Sequence, residues 1–278
     1  MPPGKVRQIE LADGKFCIGG AQLALIAGPC LVEDYDTTVD IARRLAELAS
    51  SLEMPLIFKS SYDKANRTSV SSPRGPGWRE GLKILAAVKE ASGLPLLTDV
   101  HETAQVAEAA QVADILQIPA FLSRQTDLLV EAGRSGRPVN IKKGQFLSPA
   151  EIQHAIAKVT STGNQDVIVT ERGTSFGYNN LVVDMRGLAI MRSFGYPVVF
   201  DATHSVQLPG GAGGASGGQR QFVAPLARAA VAAGVDGIFL EVHPQPDEAP
   251  CDGPNMVPLN ELSSLLEKLL AIHEAAWG

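Results

Sequence analysis

Val198-Val199-Phe200-Asp201-Ala202-Thr203-His204 and Gly237-Ile238-Phe239-Leu240-Glu241-Val242-His243 are apolar runs without alternation, and both give out in groups that carry charge. A strand wetted on one side alternates. A run apolar at every position fits a parallel sheet covered on both faces. Six more stretches of this kind lie upstream: Leu23 to Pro29, Leu56 to Ser61, Leu96 to His101, Ile115 to Ala120, Val139 to Gly144 and Val167 to Gly173. Between and after the runs lie amphipathic segments of helical period, Thr37 to Ser50, Arg79 to Ala91, Thr103 to Val112, Thr126 to Arg134, Pro149 to Thr160, Leu181 to Phe194, Pro225 to Ala233 and Leu259 to Ala276. Ser148-Pro149-Ala150-Glu151 carries an N-cap, a proline at the first helical position and a capping-box acid, while Gly163, Gly195 and Gly234 stand just past helix ends. Eight β-then-α units predict one (β/α)8 TIM barrel domain over residues 1–278. Residues 1–22 form its N-terminal extension, a hairpin from Val6 to Gly20, broken at Asp13-Gly14, that closes the bottom. A doubly wound open sheet is the rival fold, and it would want a GxGxxG opening a helix after the first strand. The chain has none there.

Composition excludes several functions. The net charge of -6 argues against a nucleic-acid binder, whose footprint would be a basic face. No apolar stretch approaches the roughly 20 residues that span a bilayer, and Met1-Pro2-Pro3-Gly4-Lys5 opens no signal peptide, so the expected location is cytoplasmic, with no membrane partner. Cys17, Cys30 and Cys251 are too few for a disulfide scaffold, which leaves reduced thiols free to ligate a metal.

In a barrel the C-terminal strand ends converge on one face, and polar residues there read as a site. They are Cys30, Lys59-Ser60-Ser61, Asp99 and His101, Gln117, Lys142-Lys143, Glu171-Arg172, Asp201 and His204, and Glu241 and His243. Free cysteines are mostly inert core residues. Here, however, Ile26-Ala27-Gly28-Pro29-Cys30, the ends of the two opening runs and the loop segment Cys251-Asp252-Gly253-Pro254 each bring a metal-capable group to the same rim. Lysine and arginine are seldom buried unless paired, so Lys59, Lys142 and Arg172 need an anion to face. Salt bridges to Asp99, Glu171 or Asp201 would satisfy a lone case. Cations on several strand ends favour a phosphate or carboxylate ligand. Tyr62-Asp63-Lys64-Ala65-Asn66-Arg67-Thr68-Ser69 adds two cations and two hydroxyls, a second phosphate clamp. The glycine-rich stretch from Pro209 to Gly218 makes residues 206–222 a candidate lid, with Arg220 available to an anion. Cys17, His154 and His273 are expected to be structural or solvent-facing, and Cys251 a bystander.

Several of these segments also resemble one family. Ile26-Ala27-Gly28-Pro29-Cys30, Phe58-Lys59-Ser60-Ser61-Tyr62-Asp63-Lys64-Ala65-Asn66-Arg67, Thr98-Asp99-Val100-His101, Gln117-Ile118-Pro119-Ala120-Phe121-Leu122, Asn140-Ile141-Lys142-Lys143-Gly144-Gln145-Phe146, Thr170-Glu171-Arg172-Gly173, Asp201-Ala202-Thr203-His204-Ser205-Val206-Gln207 and Cys251-Asp252-Gly253-Pro254 look like the motifs of the 3-deoxy-D-manno-octulosonate 8-phosphate synthases. A related synthase that uses erythrose 4-phosphate carries Lys-Pro-Arg-Thr where this chain has Lys64-Ala65-Asn66-Arg67.

The resemblance implies a transferase that condenses phosphoenolpyruvate with arabinose 5-phosphate, an aldol-type step in lipopolysaccharide (Kdo) biosynthesis. It implies that Lys59, Ser61, Gln117, Lys142 and Arg172 hold phosphoenolpyruvate, that Lys64 and Asn66 face the sugar, and that Arg67 and Thr68 take its phosphate. It also implies that Arg124 reaches a neighbouring subunit's site in a homotetramer. The family divides at Cys30, and the branch with cysteine requires one divalent metal ion. The matching ligands are Cys30, His204, Glu241 and Asp252, a mixed sulfur, nitrogen and oxygen set that admits Zn, Fe(II), Mn or Co. His204 or Asp252 would also assist proton movement. The alternatives are a related synthase acting on another aldose phosphate and a sugar-phosphate binding barrel without catalysis.

Overall fold

The eight apolar runs pair edge to edge into a closed parallel barrel. The computed structural model describes residues 5–12, 14–210 and 217–277. Its barrel strands are β1 (Ala24–Gly28), β2 (Leu56–Lys59), β3 (Leu96–Asp99), β4 (Ile115–Ile118), β5 (Val139–Lys142), β6 (Val167–Glu171), β7 (Val198–Asp201) and β8 (Gly237–His243). Each pairs in parallel with its neighbour in sequence, and β8 closes the ring on β1, with Glu241 beside Gly28. The helices are α1 (Tyr35–Ser51), α2 (Trp78–Ser92), α3 (Thr103–Val112), α4 (Thr126–Arg134), α5 (Ile152–Thr160), α6 (Met185–Arg192), α7 (Val223–Ala232) and α8 (Leu262–Trp277). Their buried faces and the outer faces of the strands make the main core. No helix among the described residues is long and apolar enough to cross a membrane.

The barrel interior is layered by the two-residue period of a strand. Ala24, Ile26, Ile57, Leu97, Ile115, Ile168, Val199 and Phe239 form an apolar lower layer, closed by Ile9, Leu11 and Ile18 of an antiparallel hairpin. That hairpin pairs Ile9–Leu11 with Phe16–Ile18, so the expected plug is present; Asp13 of its turn and residues 1–4 lie outside the described residues. Two positions further along the same strands, the inward parity changes chemistry to Lys59, Asp99, Gln117, Thr170, Asp201 and Glu241. Asn140 and Lys142 stand on the same parity of β5. The reactive layer therefore rests directly on an apolar one.

Local signals explain most boundaries. Asp34 caps α1 by accepting from the Thr37 amide at 2.8 Å, and the Ser148 to Glu151 capping box is formed, although its first turn is a 3-10 turn before α5 begins at Ile152. Gly234, at φ 94°, turns the chain from α7 towards β8. Seven of the eight expected strands end one to three residues early, β8 alone reaching its expected end. Most residues beyond the ladders are still buried and so look like strand, but the backbone there has turned into loops such as the 3-10 turns Ala120–Leu122 and His204–Val206. The helix expected from Leu181 starts at Met185. Leu181–Val182 instead pairs with Thr174–Ser175, and Asp184 caps the helix by accepting from the Arg186 amide at 3.0 Å.

Candidate active site

The strand ends and the loops that follow them line a cavity of about 730 Å³. Lys59, Lys64, Asn66, Arg67, Thr68, Gln117, Lys142, Arg172, His204 and Asp252 are all on its wall. Ser61 stands behind them, accepting from Lys64 Nζ at 3.1 Å and donating to Asp99 Oδ2 at 2.8 Å. Arg124 is exposed and outside this cavity. His243 also lies outside it; its Nε2 sits 3.1 Å from Glu33 in the first βα loop, so its place at a strand end does not put it in the site.

Lys59 and Lys142 answer mainly to internal carboxylates. Lys59 Nζ donates to Glu241 Oε1 at 3.0 Å and to the Cys30 carbonyl at 3.3 Å. Burial and Lys64 push its pKa down, yet Glu241, Asp99 and Cys30 prevail and leave it raised. Lys142 is paired with Asp201 and lies 3.6 Å from the centre of the Phe239 ring. Burial outweighs Asp201 here, so its pKa is lowered. Arg172 differs: its Nη2 donates to an amide, Gln207 Oε1, at 2.6 Å, and its Nη1 is buried with no acceptor. A desolvated guanidinium donor without a partner is costly, which makes the cavity wall at Arg172 a place for an anion. Glu171 and Lys143 face away from this layer, with Lys143 Nζ 3.7 Å from Glu171. Arg220, expected to be free for an anion, is taken by Asp247 at 3.0 Å and the Gly253 carbonyl at 2.6 Å. Residues 211–216 of the expected lid lie outside the described residues; their described flanks, Gln207–Leu208 and Gly217–Gly218, pair antiparallel.

The metal-capable groups gather around Asp252. His204, Glu241 and Asp252 each bring a ligand atom within 4.8 Å of the others, and so do Cys30, Cys251 and Asp252. Cys251 thus lies beside the group, not apart from it. The Cys30 thiol donates to Asp252 Oδ2 at 3.1 Å, and His204 Nε2 stands 3.5 Å from Glu241 Oε1. Burial, then Cys251 and Glu241, raises the Cys30 thiol well above its ordinary value, so in this state the sulfur keeps its proton. Burial alone would raise Glu241 as well, but His204, Lys59, Lys64 and Lys142 bring it to about 2. Its Oε2 is buried without a donor. A mixed sulfur, nitrogen and carboxylate set with an orphaned carboxylate oxygen suits a borderline divalent ion, and binding one would release the thiol proton.

Two supporting residues escaped sequence reasoning. Thr203 Oγ1 donates to Asp201 at 3.0 Å and accepts from the Glu241 amide at 3.1 Å, tying the β7 and β8 ends together. Gln207, besides accepting from Arg172, donates through Nε2 to Asp252 Oδ1 at 2.8 Å. Both lie inside the quoted segment Asp201 to Gln207, which is the one signal the sequence offers for them.

Comparison with known proteins gives the family. Residues 7–276 match the model of the DAHP synthetase I family. The chain is 63% identical over 264 residues to a 2-dehydro-3-deoxyphosphooctonate aldolase of Geobacter metallireducens, covering 95% of this chain and 97% of the relative. It is 61% identical over 270 residues to the protein of that name from Syntrophotalea carbinolica, covering 97% of both chains. With a family match and relatives that run nearly end to end, the chain belongs to the DAHP synthetase I family.

Proposed function

We infer that this protein is an enzyme that condenses phosphoenolpyruvate with D-arabinose 5-phosphate and water, giving 3-deoxy-D-manno-octulosonate 8-phosphate and inorganic phosphate. Relatives named 2-dehydro-3-deoxyphosphooctonate aldolase support this reading, which makes the protein a step of Kdo biosynthesis working in the cytoplasm. The observation that carries the reading is the pairing, in one cavity, of an unsatisfied Arg172 donor with a cluster of sulfur, imidazole and carboxylate ligands. The first calls for an anion and the second for a cation.

In this reading Lys59, Ser61, Gln117, Lys142 and Arg172 hold the carboxylate and phosphate of phosphoenolpyruvate over the apolar layer. Lys64 and Asn66 face the aldose, and Arg67 and Thr68 take its phosphate. Both substrates are anionic, and the cations on the wall offset their repulsion. Positioning of this kind can be worth about 7–11 kcal/mol. C3 of phosphoenolpyruvate bonds to the aldehyde carbon; water gives its hydroxyl to C2 and its proton to the new alkoxide. Breaking the C2–O bond then releases phosphate, which takes the C2 hydroxyl proton and leaves a ketone. Cys30, His204, Glu241 and Asp252 would hold one divalent ion, Zn, Fe(II), Mn or Co. When bound, that ion supplies a Lewis acid at the reacting end of the cavity. His204 and Asp252 stand where they can move a proton.

The test is phosphate release from phosphoenolpyruvate in the presence of arabinose 5-phosphate. Turnover should stop in excess chelator and return with a divalent ion. Turnover with erythrose 4-phosphate in place of arabinose 5-phosphate would overturn the substrate assignment, and full activity with metal content measured as nil would overturn the ligands.

A further inference from the structure

We infer that Gln207 is a positioning residue that couples the metal ligands to the anion site, one amide setting the geometry of both. The inference rests on the reading of the cavity given above and deepens it. Gln207 Nε2 donates to Asp252 Oδ1 at 2.8 Å, while its Oε1 accepts from Arg172 Nη2 at 2.6 Å. Each bond consumes one of two equivalent atoms and so selects the other. With Oδ1 engaged, Asp252 is left with Oδ2, the oxygen 3.1 Å from Cys30 Sγ. With Nη2 engaged, Arg172 is left with Nη1, buried without an acceptor on a residue of the cavity wall.

Gln207 is itself well held. Its backbone amide donates to the His204 carbonyl, closing the 3-10 turn that carries the imidazole, and its strand pairs it with Gly218. The far end of the bridge needs support: Asp252 is a non-glycine residue in the left-handed region, at φ 52° and ψ 13°, a conformation that persists where neighbours over-determine it. Amide partners of metal-ligating carboxylates fix the lone pair offered to the ion, and their loss lowers metal affinity about 10- to 100-fold. At the other end, a guanidinium released from its amide partner is free to turn, and the pre-set direction of Nη1 is lost.

The test uses full-length protein stripped of metal, with Zn(II) affinity measured by competition with a chromophoric chelator. Phosphoenolpyruvate affinity is measured on the stripped protein by calorimetry. Gln207→Met keeps the length and volume of the side chain and removes both hydrogen bonds. Zn(II) should bind about 10- to 100-fold more weakly and phosphoenolpyruvate about ten-fold more weakly, the loss of one charge-assisted hydrogen bond. The KM for arabinose 5-phosphate should stay within about two-fold, since none of its expected contacts touches Gln207. Should that variant not fold, Gln207→Asn keeps the amide, lacks a methylene of reach and carries the same expectation. A loss confined to one ligand, or to neither, would overturn the coupling, because a bridge acts on both ends. Wild-type protein that binds no Zn(II) would overturn the proposed metal site and this inference together; wild-type binding with an unaffected variant overturns the inference alone.

Discussion

Asp201 was expected at a strand end as one of three carboxylates that could pair with the strand-end cations, and in the structure it supports two side chains. Its Oδ2 meets Lys142 and, at 2.7 Å, His204 Nδ1, while its Oδ1 accepts from the His204 amide at 2.8 Å. Held at Nδ1, the imidazole presents Nε2 to the ligand cluster, the usual division of labour for a ligating histidine. Removing the charge in Asp201→Asn leaves a buried ammonium without its counter-ion, so the variant should be destabilised by about 3–5 kcal/mol in urea unfolding. Burial raises the Asp201 carboxyl, but His204 and Lys142 overcome it and hold the group far below its ordinary 3.8. A depressed carboxylate contributes stability in full above its unfolded value and loses it as the pH falls towards the folded one. The gap between wild type and Asp201→Asn should therefore be full at neutral pH and shrink below about pH 4. Equal urea midpoints at pH 7 would show that Asp201 does not hold the pair together.

The elements carry a different lesson, because the hairpin and the barrel strands were read from the same kind of signal with unequal success. The strand positions were legible since both faces of each strand are covered, and period and turn residues agree. Their C-terminal limits were not. Lys59 closes its strand and Ser60 and Ser61 lie beyond it, yet all three are buried, and sequence records burial better than the course of the backbone. The reactive layer was legible for a related reason: Lys59, Asp99, Gln117, Asp201 and Glu241 interrupt apolar runs where packing alone would not put them. Cys251, Thr203 and Gln207 were obscure because each acts through loop geometry that no periodicity encodes. The hairpin, recognised from a short pattern around Asp13-Gly14, proves to be part of the barrel interior. Ile18 is fully buried among the lower-layer side chains, one apolar layer beneath Lys59 and Glu241. Ile18→Ala should cost about 2–5 kcal/mol in thermal or urea unfolding while leaving the KM for phosphoenolpyruvate unchanged, since the plug touches no expected substrate contact. A shifted KM at unchanged stability would mean that the hairpin tunes the site and does not close the barrel.

At the scale of the whole molecule, the loops beyond the strand C-terminal ends carry large apolar side chains in the open. Phe121, Phe146, Phe176 and Tyr178, on the loops after β4, β5 and β6, are exposed at 55%, 54%, 69% and 98%. Large exposed apolar patches on one face mark association sites. Arg124 follows Phe121 in the loop after β4, exposed and away from this chain's own cavity, its carbonyl accepting from Lys158 Nζ at 2.8 Å. Arg124 is not on the wall of its own cavity, and we propose a homotetramer in which it reaches a neighbour's sugar phosphate and the exposed rings are covered. Sedimentation should then give a particle four times the 29.3 kDa chain mass. Arg124→Ala should raise the KM for arabinose 5-phosphate about ten-fold, the worth of one charge-assisted hydrogen bond. The KM for phosphoenolpyruvate should be unaffected, because none of the residues expected to hold it comes from the neighbour. A fully active monomer would refute the shared site. A tetramer in which Arg124→Ala changes neither KM would keep the assembly and remove Arg124 from it.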